Sequence, residues 1–409
     1  MEPRRLNIFI RSYNDFDHIL PIIHFLHNKN FVELKIFGYS ERYLSCHEHI
    51  EFLKNLGYEI KNFEDEYFGH ISKKVLKLRN FINLYNPKLK NKYYRYLIIY
   101  LQKSFNIFLE KILSFNIKRF VSQDAPQSIT LMDFLTENHF PNKYFIKYSN
   151  HYKRPIIAYL HGWYIFTDTE KQVSGTRGKN RVLKLLLRLL FEKKIRVYDK
   201  YILGPTQKTF WGLNKIESNR LIEIGIPRFT YEWINCFQKK DKYDKETKCR
   251  VAIFLSNKKF GVDLHKLTKL IKIISELKYV TLKIVPHTRQ GLSSLNVEAN
   301  NLQKFLTNDS SYRVVDWSDV CIAYGTSMIS EMLIKKKPVI VPDFLHTKET
   351  IYTKEEVCYS SKSASDLIDN LTTYKPDTEK VNLFIKNHIY GGYDSYDHLM
   401  NKISKEIFS

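Results

Sequence analysis

"DVCIAYGTSMISEMLIKKKPVIVP" (319–342) decides the fold class. Its opening residues form a short apolar run that stops at Gly325, as a buried strand stops at a turn. Beyond Thr326 and Ser327, the residues Met328, Ile329, Met332 and Leu333 recur at the spacing of one helix face. "KPVIVPD" (337–343) then reads as another buried strand. Thr326 or Ser327 would occupy the helix N-cap, where a side-chain oxygen satisfies free backbone N–H groups. A glycine turn opening onto a helix is also a natural seat for a phosphate. Capping accounts for the hydroxyls equally well, so both readings stand at this point.

Working outward, the same alternation fills the chain, which is the pattern of an α/β protein. In the first half, strands are expected at "LNIFIRS" (6–12), "ELKIFGY" (33–39), "KRFVSQD" (118–124), "PIIAYLHG" (155–162), "KYILGP" (200–205) and "LIEIGIP" (221–227). A helical region rich in Tyr, Phe, Leu and Lys is inserted at about 42–117. The polar run "CFQKKDKYDKETKCR" (236–250) has the composition of a linker. Strands resume at "VAIFLS" (251–256), "VTLKIVPH" (280–287), "YRVVDW" (312–317), 319–325 and 337–343, and "HLMNKISKEIF" (398–408) closes the chain as a helix. Two domains, 1–237 and 238–409, with a cleft between them follow from this order. A chain of 409 residues is also longer than one core usually organises.

Composition bounds the partners. Hydrophobic residues make up 44%, enough for two cores, and 65 Lys and Arg against 43 Asp and Glu leave a formal charge of +22. That excess favours anionic partners such as nucleotides, acidic glycans or lipid head groups. Nucleic acid is not expected, because no helix-turn-helix, zinc, RNA-recognition or basic-zipper pattern accompanies the charge. The five cysteines have no C-x-x-C spacing, which fits reduced thiols in a cytoplasmic protein and argues against a zinc site. The N-terminus lacks a signal-peptide core, and no run of apolar residues is long enough to span a bilayer.

The residues able to carry chemistry cluster at expected strand ends, where open α/β sheets bind ligands. His287 and Arg289 follow one strand, Gly325, Thr326 and Ser327 another, and Glu331 lies a turn into the next helix. Together they could hold the phosphates and ribose of a nucleotide; as plain loop and helix residues they would need no ligand. His161, before Gly162, could serve as a general base or bond to backbone. Gln123 and Asp124 precede Pro126; Asp124 could be a base or nucleophile, or a cap. Asp15 and Asp17 form a D-x-D, but with Asn14 they read as caps for the helix that follows, and no metal is assigned. "NRVLKLLLRLLFEKKIR" (180–196) is a basic amphipathic helix by spacing, with Arg177, Lys179, Arg181 and Lys184 adding a basic patch; it could lie on an anionic membrane, but such a helix is more often packed into its own domain.

The ordered set "HG" (161–162), "IGIPRF" (224–229), "PHTR" (286–289) and "DVCIAYGTSMISEMLIKKKPVIVP" resembles GT-B-fold glycosyltransferases of bacterial surface polysaccharide assembly. The similarity is to the Kdo-transferase and CDP-glycerol glycerophosphotransferase types, and it covers most of 119–345. It implies two Rossmann-like domains facing across a cleft, with the acceptor in the first and a CMP- or UDP-linked donor in the second. By position it implies donor contacts from His287, Arg289, Gly325, Thr326, Ser327 and Glu331, although Thr288 stands where a proline is usual. Ser12, Asn14 and Gln123 would face the acceptor. The catalytic group is His161 by one type and a carboxylate, Asp124, by the other. Asp124 is preferred because Ser122 and Gln123 could orient it and Pro126 would stiffen its turn.

The resulting expectation is a metal-independent transferase that uses no cofactor and moves a sugar, Kdo or another acidic sugar among the candidates, onto a glycan or lipid-linked acceptor. Transfer of a polyol phosphate from a CDP donor is the alternative enzyme reading. A UDP-sugar epimerase shares the architecture, but no convincing second set of acid–base carboxylates supports one. A basic membrane-surface or nucleic-acid-binding protein is the non-enzymatic alternative. The expected location is the cytoplasm, with peripheral attachment to the inner face of its membrane.

Overall fold

The computed structural model describes residues 4–27, 29, 31–39, 43–44, 46–84, 92–133, 140–159, 163, 165–167, 198–205, 216–237, 248–257, 261–287, 302–346 and 348–409. Among them, seven strands build a first sheet: β1 Arg4–Ile10, β2 Val32–Gly38, β3 Ile60–Asn62, β4 Ile129–Asp133, β5 Ile156–Tyr159, β6 Lys200–Leu203 and β7 Leu221–Glu223. A second sheet holds β8 Cys249–Phe254, β9 Val280–Val285, β10 Val320–Ala323, β11 Val339–Pro342 and β12 Tyr359–Ser361. The first runs β3-β2-β1-β4-β5-β6-β7 and the second β12-β11-β10-β8-β9. Every pairing is parallel. Strands such as β4, β5, β10 and β11 are buried along their whole length, as parallel strands covered on both faces must be.

Two expected strands are helices. "KRFVSQD" is the end of a helix spanning Lys92–Gln123. Its buried residues Leu109, Leu113, Ile117 and Phe120 continue a helical period straight through the segment. The strand of that region is β4, "ITLMD", which follows directly after the turn at Pro126. "YRVVDW" likewise lies in a helix, Ser311–Trp317, which buries Val314, Val315 and Trp317. In a segment this short, period alone does not separate strand from helix. The inserted helical region comprises His47–Asn55, Phe63–Tyr67, His70–Leu84 and Lys92–Gln123, with β3 among them.

The last helix, Tyr396–Phe408, does not close the second domain. Leu399, Met400, Ile403 and Ile407 pack into the first domain's core with Leu6, Ile8 and Leu26. Ile226 and Phe229 join the second domain's apolar cluster while Ile224 and Trp233 on either side stay in the first, and the chain returns to the first near 389–395. These two segments touch: the Ile226 N–H donates to the Ile389 carbonyl at 2.6 Å. A Cβ on Gly225 would lie 2.2 Å from that carbonyl oxygen, so only glycine fits. Gly225→Ala is expected to destabilise the protein by about 1–3 kcal/mol through overpacking, read as a lower thermal midpoint.

Candidate active site between the sheets

Strand order reverses between β1 and β4 in the first sheet and between β8 and β10 in the second. Ligands of open α/β sheets gather at the carboxyl ends of such switch points. At the second, Ala323 pairs with Phe254, and Phe254 with Val285. The residues that follow, Gly325, Ser256 and His287, therefore leave the sheet at one level. β9 and β10 flank β8, which puts their ends about 10 Å apart.

Gly325 adopts φ +60°, a left-handed conformation that other residues reach only with strain. The Phe166 ring and the Ser256 hydroxyl lie 3.4 Å from where its Cβ would be. Thr326 and Ser327, both half-buried, lead into the helix Met328–Ile334. Ser327 makes no side-chain cap bond, whereas the Thr326 hydroxyl accepts from the Met328 N–H at 3.3 Å. Tyr324 stacks on His346, with centroids 4.4 Å apart and planes at 14°. His287 is half-buried. Arg289, His161, Gly162 and the basic segment 177–196 lie outside the described residues.

At the first switch point, Asp15 accepts backbone N–H groups from Arg11 at 2.6 Å and from Ser12, which fixes the start of the helix Tyr13–His27. The Ser12 hydroxyl also bonds to Asp15, and Arg11 pairs with the fully buried Asp133 at 2.7 Å. Ser12 and half-buried Asn14 thus stand at the carboxyl edge, where an acceptor could reach them.

Asp124 and Gln123 stand at the opposite edge. Asp124 pairs with Arg5, the second residue of β1, at 2.9 Å and with Asn7, its central residue. Gln123 is exposed at the helix end and accepts from Arg119 at 3.3 Å. The assignment of Asp124 to catalysis assumed a strand ending there; the helix Lys92–Gln123 instead delivers it to the start of β4. A group on that edge is a full strand length from a cleft at the carboxyl ends. Asp124 is a structural anion, and Gln123 is equally remote.

Sequence reasoning missed the junction itself. Arg228, in a short 3-10 turn at Pro227–Phe229, is buried between the domains. Its Nε donates to Asp17 Oδ2 at 2.5 Å and its Nη1 to Glu331 Oε2 at 3.1 Å. Asp17 lies in the helix after β1 and Glu331 in the helix after β10, so one guanidinium ties the carboxyl edges of both sheets together. His49 Nε2 lies 3.1 Å from Asp17 Oδ1, and Lys335 Nζ lies 3.4 Å from Glu331 Oε1. Glu331, expected at the donor, is fully buried and engaged by these cations. Asp17 is an ion-pair partner rather than a cap. The only advance signal was "IGIPRF", quoted for its order alone.

Burial opposes ionisation of Asp17, but Arg228 and the His49 hydrogen bond outweigh it and hold the carboxyl below its ordinary range. For Asp124, burial is again outweighed, here by hydrogen bonds from Ser128, Arg5 and the Ala125 N–H. Both carboxyls are thus more acidic folded than unfolded. Their stabilisation is complete above the unfolded value of about 3.9 and is lost as pH falls below it toward the folded values. Thermal midpoints measured across this range should decline with acid, less steeply in Asp124→Asn.

Among the described residues no cluster of His, Cys, Asp or Glu could hold a metal ion, and no helix is long and apolar enough to cross a membrane. No protein-family model and no curated protein sequence matches the chain. Solved structures do resemble it. A glycotransferase of kitacinnamycin is 10% identical with TM-score 0.56, each chain covered over 100%. A UDP-N-acetylglucosamine 2-epimerase is 10% identical with TM-score 0.55, over 99% of this chain and 96% of that one. The Neisseria meningitidis UDP-GlcNAc 2-epimerase, solved with UDP-GlcNAc, is 12% identical with TM-score 0.52, over 100% and 99%. These are GT-B proteins, and two Rossmann-like domains in the GT-B arrangement are the fold of this chain. At such identities the likeness establishes architecture alone.

Proposed function

We propose that the protein is a glycosyltransferase that moves a sugar from a CMP- or UDP-linked donor to a glycan or lipid-linked acceptor. The observation that carries this reading is the junction at Arg228, which turns the ligand-binding edges of both sheets toward one another. Two substrates held on opposing edges are thereby brought together, which is how positioning accelerates a bimolecular transfer. The neighbours that act on or bind UDP-sugars favour a nucleotide-sugar as one of the two.

In this reading the donor lies over β8–β10. His287, Arg289 and the N–H groups after Gly325 neutralise charge on the departing nucleotide, and Ser12 and Asn14 face the acceptor. With Asp124 on the far edge, deprotonation of the acceptor hydroxyl falls to His161, which follows β5 in the sequence. No step requires a metal or a cofactor. Kdo as the sugar, and a role in capsule or lipopolysaccharide assembly, remain the specific form of the proposal.

Thermal shift against CMP, CDP, UDP, UDP-sugars and GDP tests it, because a ligand stabilises the fold according to its occupancy. The correct nucleotide should raise the midpoint of the parent, and His287→Ala should weaken that nucleotide about tenfold, the loss of one charge-assisted contact. No shift with any nucleotide would remove the reading. Conversion of UDP-GlcNAc to its C2 epimer without an acceptor would replace it with an epimerase.

A further inference from the structure

We infer that the helical hairpin inserted in the first domain, His70–Leu84 with Lys92–Gln123, is a docking surface for an anionic lipid bilayer. On the longer helix, Leu101, Phe105, Phe108 and Phe115 are exposed and recur at spacings that align them in one stripe. That stripe lies opposite the buried Leu109, Leu113 and Ile117. Phe105 and Phe108 stack on each other, 6.4 Å between centroids, and leave their outer faces in solvent. On the shorter helix, Ile71, Leu78 and Phe81 form a second exposed stripe, with Ile71 at 76% and Phe81 at 69% exposure. Single exposed apolar side chains are ordinary, but contiguous rows of them mark interaction surfaces.

Hydrogen bonds from Arg79 to Glu110 and from Asn116 to Ser72 hold the two helices side by side. Leu76 of the shorter helix shares a buried apolar cluster with Leu113 and Ile117 of the longer one, so the exposed stripes are additional to the apolar contact the hairpin already makes.

The charge selects the occupant. Lys74, Lys77, Lys103, Lys111 and Lys118 are exposed on the same two helices. The only acidic residue among the described side chains of the pair is Glu110, buried between Arg79 and Lys143. An apolar stripe flanked by cations, with no exposed carboxylate, matches the interface of an anionic membrane. The longer helix has 32 residues, enough length to span, yet it is not apolar enough to do so. It lies on the surface instead. This surface differs from segment 177–196 and does not depend on the catalytic reading, because it needs no nucleotide.

The test is flotation of the full chain, without any sugar donor, with vesicles of phosphatidylcholine alone or mixed with phosphatidylglycerol. The protein should float with the mixed vesicles, weakly with neutral ones, and less as salt rises. The combined variant Phe105→Ser, Phe108→Ser, Phe115→Ser should lose binding by about tenfold or more at an unchanged thermal midpoint, since these side chains are already in water. Lys103→Gln, Lys111→Gln, Lys118→Gln should lose only the preference for anionic vesicles. Undiminished flotation of the serine variant, or equal binding to both vesicle types, would overturn the assignment. So would a dimer in sedimentation that the serine variant dissolves while vesicles never bind, which would make the face a contact between copies.

Discussion

His161→Ala is expected to lower turnover by about 10²–10⁴-fold, the usual contribution of a general base, with donor affinity nearly intact. β5 ends at Tyr159, which pairs with Asp133, level with the end of β1. β5 thus ends on the edge that carries Arg11 and Ser12, and His161 follows it by two positions in the sequence. An imidazole is neutral and basic near physiological pH without special arrangement. Asp124→Asn should instead keep turnover within a few fold and lose stability, because Arg5 would retain only Glu33. Steady-state kinetics of both variants, beside their thermal midpoints, separate the roles. A dead but folded Asp124→Asn with a near-normal His161→Ala would return the chemistry to the carboxylate.

Arg228→Met should be the most destabilising single change. Among the described residues it leaves Glu331, fully buried, with Lys335, and Asp17 with His49 and the nearby His18. Breaking a buried pair by removing one partner typically costs about 3–5 kcal/mol. In a protein of this size the thermal midpoint would fall by about 3–6 °C. Adding Asp17→Asn and Glu331→Gln to Arg228→Met removes the unpaired charges and should recover part of the loss, a coupling that a mutant cycle measures. Because Arg228 bridges helices of both domains, the variant should also bind donor and acceptor less cooperatively.

Much of the architecture was legible because α/β patterning is local. Strand ends at Gly38, Phe254, Val285 and Ala323 coincide closely with where apolar runs give way to turn residues. The misreadings share one cause. Short segments rich in Phe, Val and Tyr bury themselves as well in a helix as in a strand, so 118–124 and 312–317 were decided by their neighbours. One of those errors relocated a candidate catalyst to the wrong edge of a sheet. The turn at Gly325 was easier, since glycine announces a turn by its own chemistry.

The sequence by itself determined the α/β class, two domains, the strand-end turns and a cationic surface, all properties of adjacent residues and their spacing. Only the tertiary structure decided which charges meet. Arg228 lies 211 positions from Asp17 and 103 from Glu331, and no local pattern encodes such a pairing. It exists because two sheets orient their carboxyl edges toward one crossing of the chain, and buried charges brought there must find each other or remain costly. The return of Tyr396–Phe408 to the first core has the same origin: an amphipathic helix specifies that it will be buried, not against which domain.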